Sequence, residues 1–287
     1  MIKPKKSLGQ NFLVDRRVIS RILDAASVAP DDLIVEIGPG TGALTESLVK
    51  RAGYVLAIEA DPRLVLDLQQ RVATENLRIL EADALALDWG SILDDAVEAW
   101  RHALAVGRAE VTSGAEQRPE PRLRIIANLP YYISTPIIQR LIAQHDRLFD
   151  MTLMLQDEVV DRIVSGPGGR QYGYLSVLVQ YYCEVEKLFE VAPSAFRPAP
   201  KVQSAVIRLT LRRRMPVAVA DEFKFFALVR SAFAHRRKTI LNNLRTAEAS
   251  LKLTVSPETA LTRAGIDPRR RPETLSLDDF ARLNAAL

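Results

Sequence analysis

Asn128-Leu129-Pro130-Tyr131 follows a short apolar run, Leu123–Ala127, and places an amide, a fixed turn and an aromatic ring within four residues. The apolar run reads as a buried strand, and Pro130 forbids continuation of helix or ladder beyond it. A carboxamide oxygen and the adjacent main-chain carbonyl can accept both hydrogens of an exocyclic amine on a planar base. Such an amine is a poor nucleophile because its lone pair is delocalised into the ring. Two fixed acceptors favour a pyramidal nitrogen with its lone pair exposed, so positioning and preorganised electrostatics suffice without a strong base. In this reading Asn128 and Leu129 supply the acceptors, Pro130 sets their direction and Tyr131 stacks on one face of the base. Phe196, in the proline-rich stretch Pro193–Pro200, is the candidate for the opposite face. A place in the core is the competing account of both rings.

Three acids close apolar runs in the same manner: Glu36 after Leu33–Val35, Glu59 after Tyr54–Ile58 and Asp83 shortly after Leu77–Leu80. Between the first run and the next helix lies Gly38-Pro39-Gly40-Thr41-Gly42. Glycines there let a ligand approach the backbone. Gly38-x-Gly40-x-x-Ala43, with Glu59 spaced to hold a ribose, also satisfies the dinucleotide pattern, so on this stretch alone a nicotinamide enzyme remains open. Glu36 before the loop can order it and face a cationic ligand, and Asp83 suits an adenine amine. These acids favour S-adenosylmethionine, and Glu-Ile-Gly-Pro-Gly-Thr-Gly resembles the first motif of class I methyltransferases. The bland alternative makes Glu36 and Asp83 loop or helix caps.

The elements that must hold these residues alternate strand with helix, which predicts a parallel sheet with right-handed crossovers. Asp15 is the predicted N-cap of an amphipathic helix bearing Val18, Ile19, Ile22, Leu23 and Ala26, and a helix over 43–52 follows the glycine loop. Asp61-Pro62 caps a third helix with proline at its first position. Residues 89–122 read as an insertion, an extra helix over 89–106 and then loop composition. Further strands are expected at Met151–Gln156 and Val185–Val191. Ala205–Leu211 alternates as a seventh strand, antiparallel to its neighbours. Beyond Met215-Pro216 only helices are expected, one of them long or broken across residues 221–244. The predicted architecture is α/β, with residues 1–214 forming the cofactor-binding domain and 215–287 a small all-α domain.

The 287 residues carry a net charge of +4, unevenly spread. Residues 1–21 hold six Lys/Arg against one Asp, and residues 208–271 hold fifteen against five acids, whereas the middle is acidic. Basic flanks suit a polyanion, and Lys5, Lys6, Arg236, Arg237 and Lys238 are the candidate RNA contacts. One cysteine, Cys183, excludes an internal disulfide. Together with three scattered histidines it also argues against structural zinc. No apolar run approaches a membrane span. A cytoplasmic, metal-free monomer is expected.

The sequence resembles the bacterial small-subunit (16S) ribosomal RNA adenine dimethyltransferases, the kasugamycin-sensitivity dimethyladenosine transferase family, nearly end to end. The resemblance rests on Gly9-Gln10-Asn11-Phe12-Leu13, Glu36–Gly42, Asp83-Ala84, Asn128–Tyr131 with Ile133-Ser134-Thr135-Pro136, and Phe196-x-Pro198-x-Pro200-Lys201-Val202. It extends through Ala232-Phe233-x-x-Arg236-Arg237-Lys238-Thr239 and Gly265-Ile266-Asp267-Pro268. It implies a class I, Rossmann-like sheet of seven strands and transfer of four methyl groups from S-adenosylmethionine. The acceptors it implies are two adjacent adenosines near the 3′ end of small-subunit RNA, modified late in subunit assembly. It also implies that Asn11 and Leu13 line the cofactor pocket with Gly38, Glu59, Asp83 and Asn128. Tyr132 stands where many relatives carry asparagine. A large-subunit RNA dimethyltransferase and a non-enzymatic RNA-binding factor are the rival readings.

Overall fold

Leu33, Ile34, Val35 and Ile37 leave water almost completely, because the strand they form lies between two others with helices over both faces. The computed structural model describes residues 2–5, 8–107 and 120–287. In chain order the first elements are β1 (Phe12–Leu13), α1 (Arg16–Ala26), β2 (Leu33–Ile37), α2 (Thr45–Leu48), β3 (Tyr54–Glu59) and α3 (Pro62–Arg71). Then come β4 (Leu77–Glu81), α4 (Trp89–Gly107), β5 (Leu123–Asn128), α5 (Ser134–Ile142), β6 (Asp150–Gln156), α6 (Asp157–Val164) and α7 (Tyr174–Tyr182). β7 (Cys183–Val191), β8 (Phe196–Arg197), β9 (Ser204–Leu211), α8 (Glu222–Ala232), α9 (Ile240–Leu251), α10 (Pro257–Ala264) and α11 (Leu277–Ala286) complete the chain.

Seven strands form one sheet in the order β4-β3-β2-β5-β6-β9-β7. Pairings from β4 through to β6 are parallel, and β9 runs antiparallel to β6, from Asp150 opposite Thr210 to Gln156 opposite Ser204. The antiparallel strand is therefore the last of the sheet's seven strands in chain order but lies inside the sheet, between β6 and β7. The dinucleotide-binding order is 3-2-1-4-5-6 without such a strand. The inserted antiparallel strand departs from that order.

Local signals explain most helix starts. The Asp15 carboxylate accepts from the Arg17 and Val18 amides, and the Asp61 carboxylate accepts from the Arg63 amide with Pro62 at the first helical position. α2 is shorter than the expected helix over 43–52, because turns flank its four residues on both sides. The helix expected over 89–106 is α4, and it is packed into the fold where a surface insertion was expected. Trp89, Leu93, Ala96 and Trp100 are all buried, and the two indole nitrogens donate to the Ala84 and Asp31 carbonyls at 3.0 Å. An alanine- and acid-rich composition hid this face, since four apolar side chains at helical spacing carry its burial. The remainder of that expected insertion, residues 108–119, lies outside the described residues.

Two short strands escaped the sequence pattern altogether. Phe12 pairs with Arg197 and Leu13 with Phe196, making a two-stranded antiparallel sheet of β1 and β8. Two residues carry no periodicity, and the prolines around Phe196 suggested irregular chain.

Contacts divide the chain into two compact units, Met1–Val160 with Glu186–Leu211, and Asp161–Val185 with Arg212–Leu287. The second unit thus includes residues 161–185, which the sequence reading placed in the 1–214 domain. Its aromatic cluster brings Tyr181, Tyr182, Phe225 and Phe226 together, and both tyrosine hydroxyls donate to Glu222. The helix expected across 221–244 is broken into α8 and α9. At the break, the buried Asn243 side chain accepts from the His235 amide and donates to the His235 and Thr239 carbonyls.

Candidate active site

β2, β3 and β5 deliver their C-terminal ends side by side, Glu36 level with Ala57 and Ile126, and Ile37 level with Ile58 and Ala127. A cavity of about 350 Å³ opens there. Asn11, Leu13, Glu36, Gly38, Gly40, Glu59 and Asp83 line it together with Asn128, Leu129, Pro130, Tyr131 and Phe196. Every cofactor and acceptor residue expected from the sequence therefore borders one pocket within the first unit.

Glycine is required at its wall. Gly40 has φ +58°, and a side chain there would come within 3.2 Å of the Phe12 ring. Gly9, at φ +57°, lies under Tyr132, whose ring would meet a side chain at 3.1 Å. Tyr132 itself is 59 % exposed at the pocket mouth. Partial burial raises its pKa, and the charges of Asp83 and Glu59 add to the shift.

The acids at the strand ends are buried without a cation. Glu36 is 1 % exposed and accepts the Thr45 hydroxyl at 2.7 Å. Burial pushes its pKa up to about 8, the hydroxyl partly opposing and the Glu59 charge reinforcing the shift. Glu59 accepts the Gly40 amide at 3.1 Å and the Asp61 amide at 2.9 Å. Its pKa is raised by burial, with the amides of Asp61, Gly40 and Ala60 opposing and the Asp61 charge adding. Among the described residues neither carboxylate is in an ion pair. The lining thus combines two buried acids, a third acid at Asp83 and a glycine cradle, a donor and acceptor set suited to a cationic nucleoside.

The acceptor side is equally fixed. Asn128 Nδ2 donates to the Asn11 carbonyl at 3.4 Å, which ties one N–H to the main chain and orients the carboxamide, whose Oδ1 can only accept. The Leu129 amide donates to the Met154 carbonyl, and the Pro130 carbonyl accepts from the Ile133 amide and the Ser134 hydroxyl. Tyr131 shares a 2.7 Å hydrogen bond with the Ser204 hydroxyl, and its pKa is raised by burial, opposed by that bond. Phe196 is 1 % exposed and belongs to the apolar cluster containing Leu13, Ile22, Ile126 and Met154, yet it also borders the pocket.

Three supporting residues were not singled out from sequence. Thr45 was hidden because the helix begins there and not two residues earlier, so its hydroxyl faces back to Glu36. Asp61 was read only as a cap and Gln10 only as part of a motif, although their side chains bond to each other at 3.1 Å. Of the expected RNA contacts, Arg236, Arg237 and Lys238 are exposed in the loop between α8 and α9, where Arg236 donates to the Arg170 carbonyl. Lys5 is engaged by Asp61 at 3.1 Å, and Lys6 lies outside the described residues. No group of three or more potential metal ligands occurs among the described residues, and no helix there is long and apolar enough to cross a membrane.

The sheet with its inserted antiparallel strand, and the acid-lined pocket at the parallel strands' C-terminal ends, define a Rossmann-like methyltransferase. Comparison with known proteins narrows the class. The chain matches the family described as ribosomal RNA adenine dimethylase over residues 1–284, and it belongs to that family. It is 44 % identical over 285 residues to the ribosomal RNA small subunit methyltransferase A of Moorella thermoacetica, covering 99 % of this chain and 92 % of that one. Identity to the protein of the same name from Shouchella clausii is 43 % over 284 residues, 99 % and 89 % of the two chains. Among solved structures, the dimethyladenosine transferase from Plasmodium falciparum shares the fold with a TM-score of 0.72, at 24 % identity over 95 % of both chains. The 23S rRNA methyltransferase ErmE aligns with a TM-score of 0.66 at 25 % identity, over 96 % of this chain and 99 % of that one.

Proposed function

We propose that the pocket holds S-adenosylmethionine and that the acceptors are two adjacent adenosines near the 3′ end of small-subunit ribosomal RNA, each methylated twice on its exocyclic amine during subunit assembly. The chain is an rRNA adenine dimethyltransferase by family. The small-subunit assignment draws on 43–44 % identity to proteins named for that subunit, against 25 % to the 23S rRNA methyltransferase.

When bound, the cofactor supplies an electrophilic sulfonium methyl group. Glu59 is placed to accept the ribose hydroxyls, Asp83 the adenine amine, and Glu36 to face positive charge across the glycine loop. Asn11 and Leu13 close the near wall. The observation that carries the acceptor reading is the Asn128–Asn11 bond, because it turns the carboxamide oxygen towards the role of acceptor. Asn128 Oδ1 and the Leu129 carbonyl then hold the two hydrogens of the adenine amine, and its lone pair points away from both. Tyr131 stacks on the base taken out of its stack, with its ring fixed by Ser204, and Phe196 supports the other side. After the first transfer one N–H remains, so a single acceptor orients the second. Arg236, Arg237 and Lys238 are assigned to phosphate contacts, which hold the substrate without reading its sequence.

The test is methylation of small subunits isolated from cells lacking the modification, with products read by mass spectrometry. Dimethylation of two adjacent adenosines is expected. Asn128→Ala is expected to bind cofactor normally while turnover falls by about 10²–10³-fold, the loss typical of one preorganised polar group. Activity confined to protein-free large-subunit RNA contradicts the assignment.

A further inference from the structure

Asp61 lies outside the pocket lining, yet its side chain is completely buried and gathers more donors than a helix cap requires. Oδ1 accepts the Arg63 amide at 3.2 Å, Arg63 Nε at 3.0 Å and Lys5 Nζ at 3.1 Å. Oδ2 accepts Gln10 Nε2 at 3.1 Å and Arg63 Nη2 at 2.7 Å. An N-cap needs one acceptor for one or two amides. The Lys5 and Gln10 bonds instead reach 56 and 51 residues back along the chain.

Those bonds end on the segment that forms the near wall of the pocket. Gln10 Oε1 accepts the Lys5 amide at 2.6 Å, so Gln10 is held from both sides. The next residue, Asn11, supplies the carbonyl that orients Asn128, and Phe12–Leu13 pair with β8. On its other side Asp61 donates its own amide to Glu59, whose second oxygen holds the Gly40 amide. Asp61 therefore joins three parts of the pocket wall that are distant in sequence.

We propose that Asp61 is a positioning residue for the cofactor pocket: through Gln10 and Lys5 it fastens the N-terminal segment against β3, so that Asn11 and Leu13 stand at the distance the cofactor needs. This rests on the reading of the pocket as a cofactor site. Asp61 touches neither cofactor nor acceptor and acts through Gln10.

Asp61→Asn separates this role from capping. An asparagine keeps the Oδ1 acceptor for the Arg63 amide and remains a good cap. Its amide nitrogen cannot accept from Gln10 or from Arg63 Nη2, whereas Oδ1 keeps Arg63 Nε and Lys5. Calorimetric titration with S-adenosylmethionine is expected to show Kd raised about tenfold, the equivalent of one charged hydrogen bond. The KM for the cofactor is expected to rise by the same factor, with a smaller fall in kcat at saturating cofactor, because the loosened segment carries the Asn11 carbonyl that orients Asn128. Asp61→Asn combined with Gln10→Glu restores a donor facing an acceptor with polarity reversed, and is expected to recover most of the affinity. Hydrogen exchange at residues 8–13 is expected to quicken in the single variant and slow again in the double. Unchanged affinity in the single variant, no recovery in the double, or a loss confined to kcat overturns the proposal. If Asp61→Asn does not fold, Gln10→Leu leaves the cap and the Arg63 pair in place. It is expected to weaken binding and quicken exchange at 8–13, and unchanged exchange there overturns the proposal. Failure of the wild-type protein to bind S-adenosylmethionine defeats the pocket reading instead.

Discussion

Opposite ends of the same strands bury acids in opposite ways. At the N-terminal end, Asp32 and Asp150 flank Arg124, whose guanidinium is 4 % exposed and lies 3.0 Å from one carboxylate and 2.6 Å from the other. Arg122 adds a second cation 2.8 Å from Asp32. At the C-terminal end, Glu36 and Glu59 are also buried and, among the described residues, have a hydroxyl and main-chain amides for partners. Unpaired buried carboxylates are costly, and they persist where something else compensates them. The first end draws its cations from the chain itself. The second has no cation of its own among the described residues, and a positively charged ligand would fit it.

The contrast makes unlike demands on substitution. Arg124→Met removes the shared cation, strands the buried Asp150 carboxylate and leaves Asp32 with Arg122 alone, so denaturant titration is expected to show a loss of about 3–5 kcal/mol. The folded fraction should still bind cofactor. A loss under about 1 kcal/mol would mean that the N-terminal end is not the self-contained network described here.

Glu59→Gln is expected to do the reverse. Hydrogen bonds to a charged group contribute about 1.5–3 kcal/mol, so cofactor affinity should fall by roughly 10–100-fold. Thermal stability is expected to change little, because loss of a buried charge without a cation is offset by an amide nitrogen now facing one of the main-chain N–H groups that Glu59 accepted. A large stability loss with intact affinity would make Glu59 a structural acid like Asp32.

Glu36 supplies a pH dependence. Its folded pKa of about 8 lies above the ordinary 4.5, so the folded chain holds a proton that the unfolded chain has released between those values. Stability is therefore expected to fall as pH rises from 4.5 towards 8 and to level off above it. A cationic ligand favours the ionised form, so cofactor affinity is expected to rise as pH approaches 8 and to level off above it. Glu36→Gln keeps an acceptor for Thr45 and should flatten both profiles. Profiles unchanged by this substitution would remove Glu36 from the account.

The smallest effect belongs to the acceptor side. Tyr131→Phe loses the Ser204 hydrogen bond, with a stability cost of about 0.5–1.5 kcal/mol, but keeps the stacking ring. Most turnover should survive, and severe loss would give the hydroxyl a role beyond holding the ring.

How legible each end was in the sequence follows from its physics. Glu36, Glu59 and Asn128 stand where apolar runs stop, so a strand's C-terminal end could be read directly. Asp32, Arg124 and Asp150 meet only once β2, β5 and β6 are placed side by side, which no local pattern encodes. The same limit hid the partnership of β1 with β8 and of Asp61 with Gln10, and it concealed the place of β9 inside the sheet. The helix over Trp89–Gly107 was legible almost to the residue, but its burial was not, because a mixed composition outweighed a narrow apolar face. Phe196 was read as loop because prolines surround it, whereas its ring is among the most buried in the first unit.

The central claim is that the unpaired acids at the strands' C-terminal ends form a site for a cationic nucleoside cofactor. Calorimetric titration of the purified protein with S-adenosylmethionine and, separately, with a nicotinamide dinucleotide tests it most directly. The account predicts saturable one-to-one binding of the first, strengthening as pH rises towards 8, and none of the second. Binding of the dinucleotide, or S-adenosylmethionine affinity indifferent to both pH and Glu59→Gln, would contradict it.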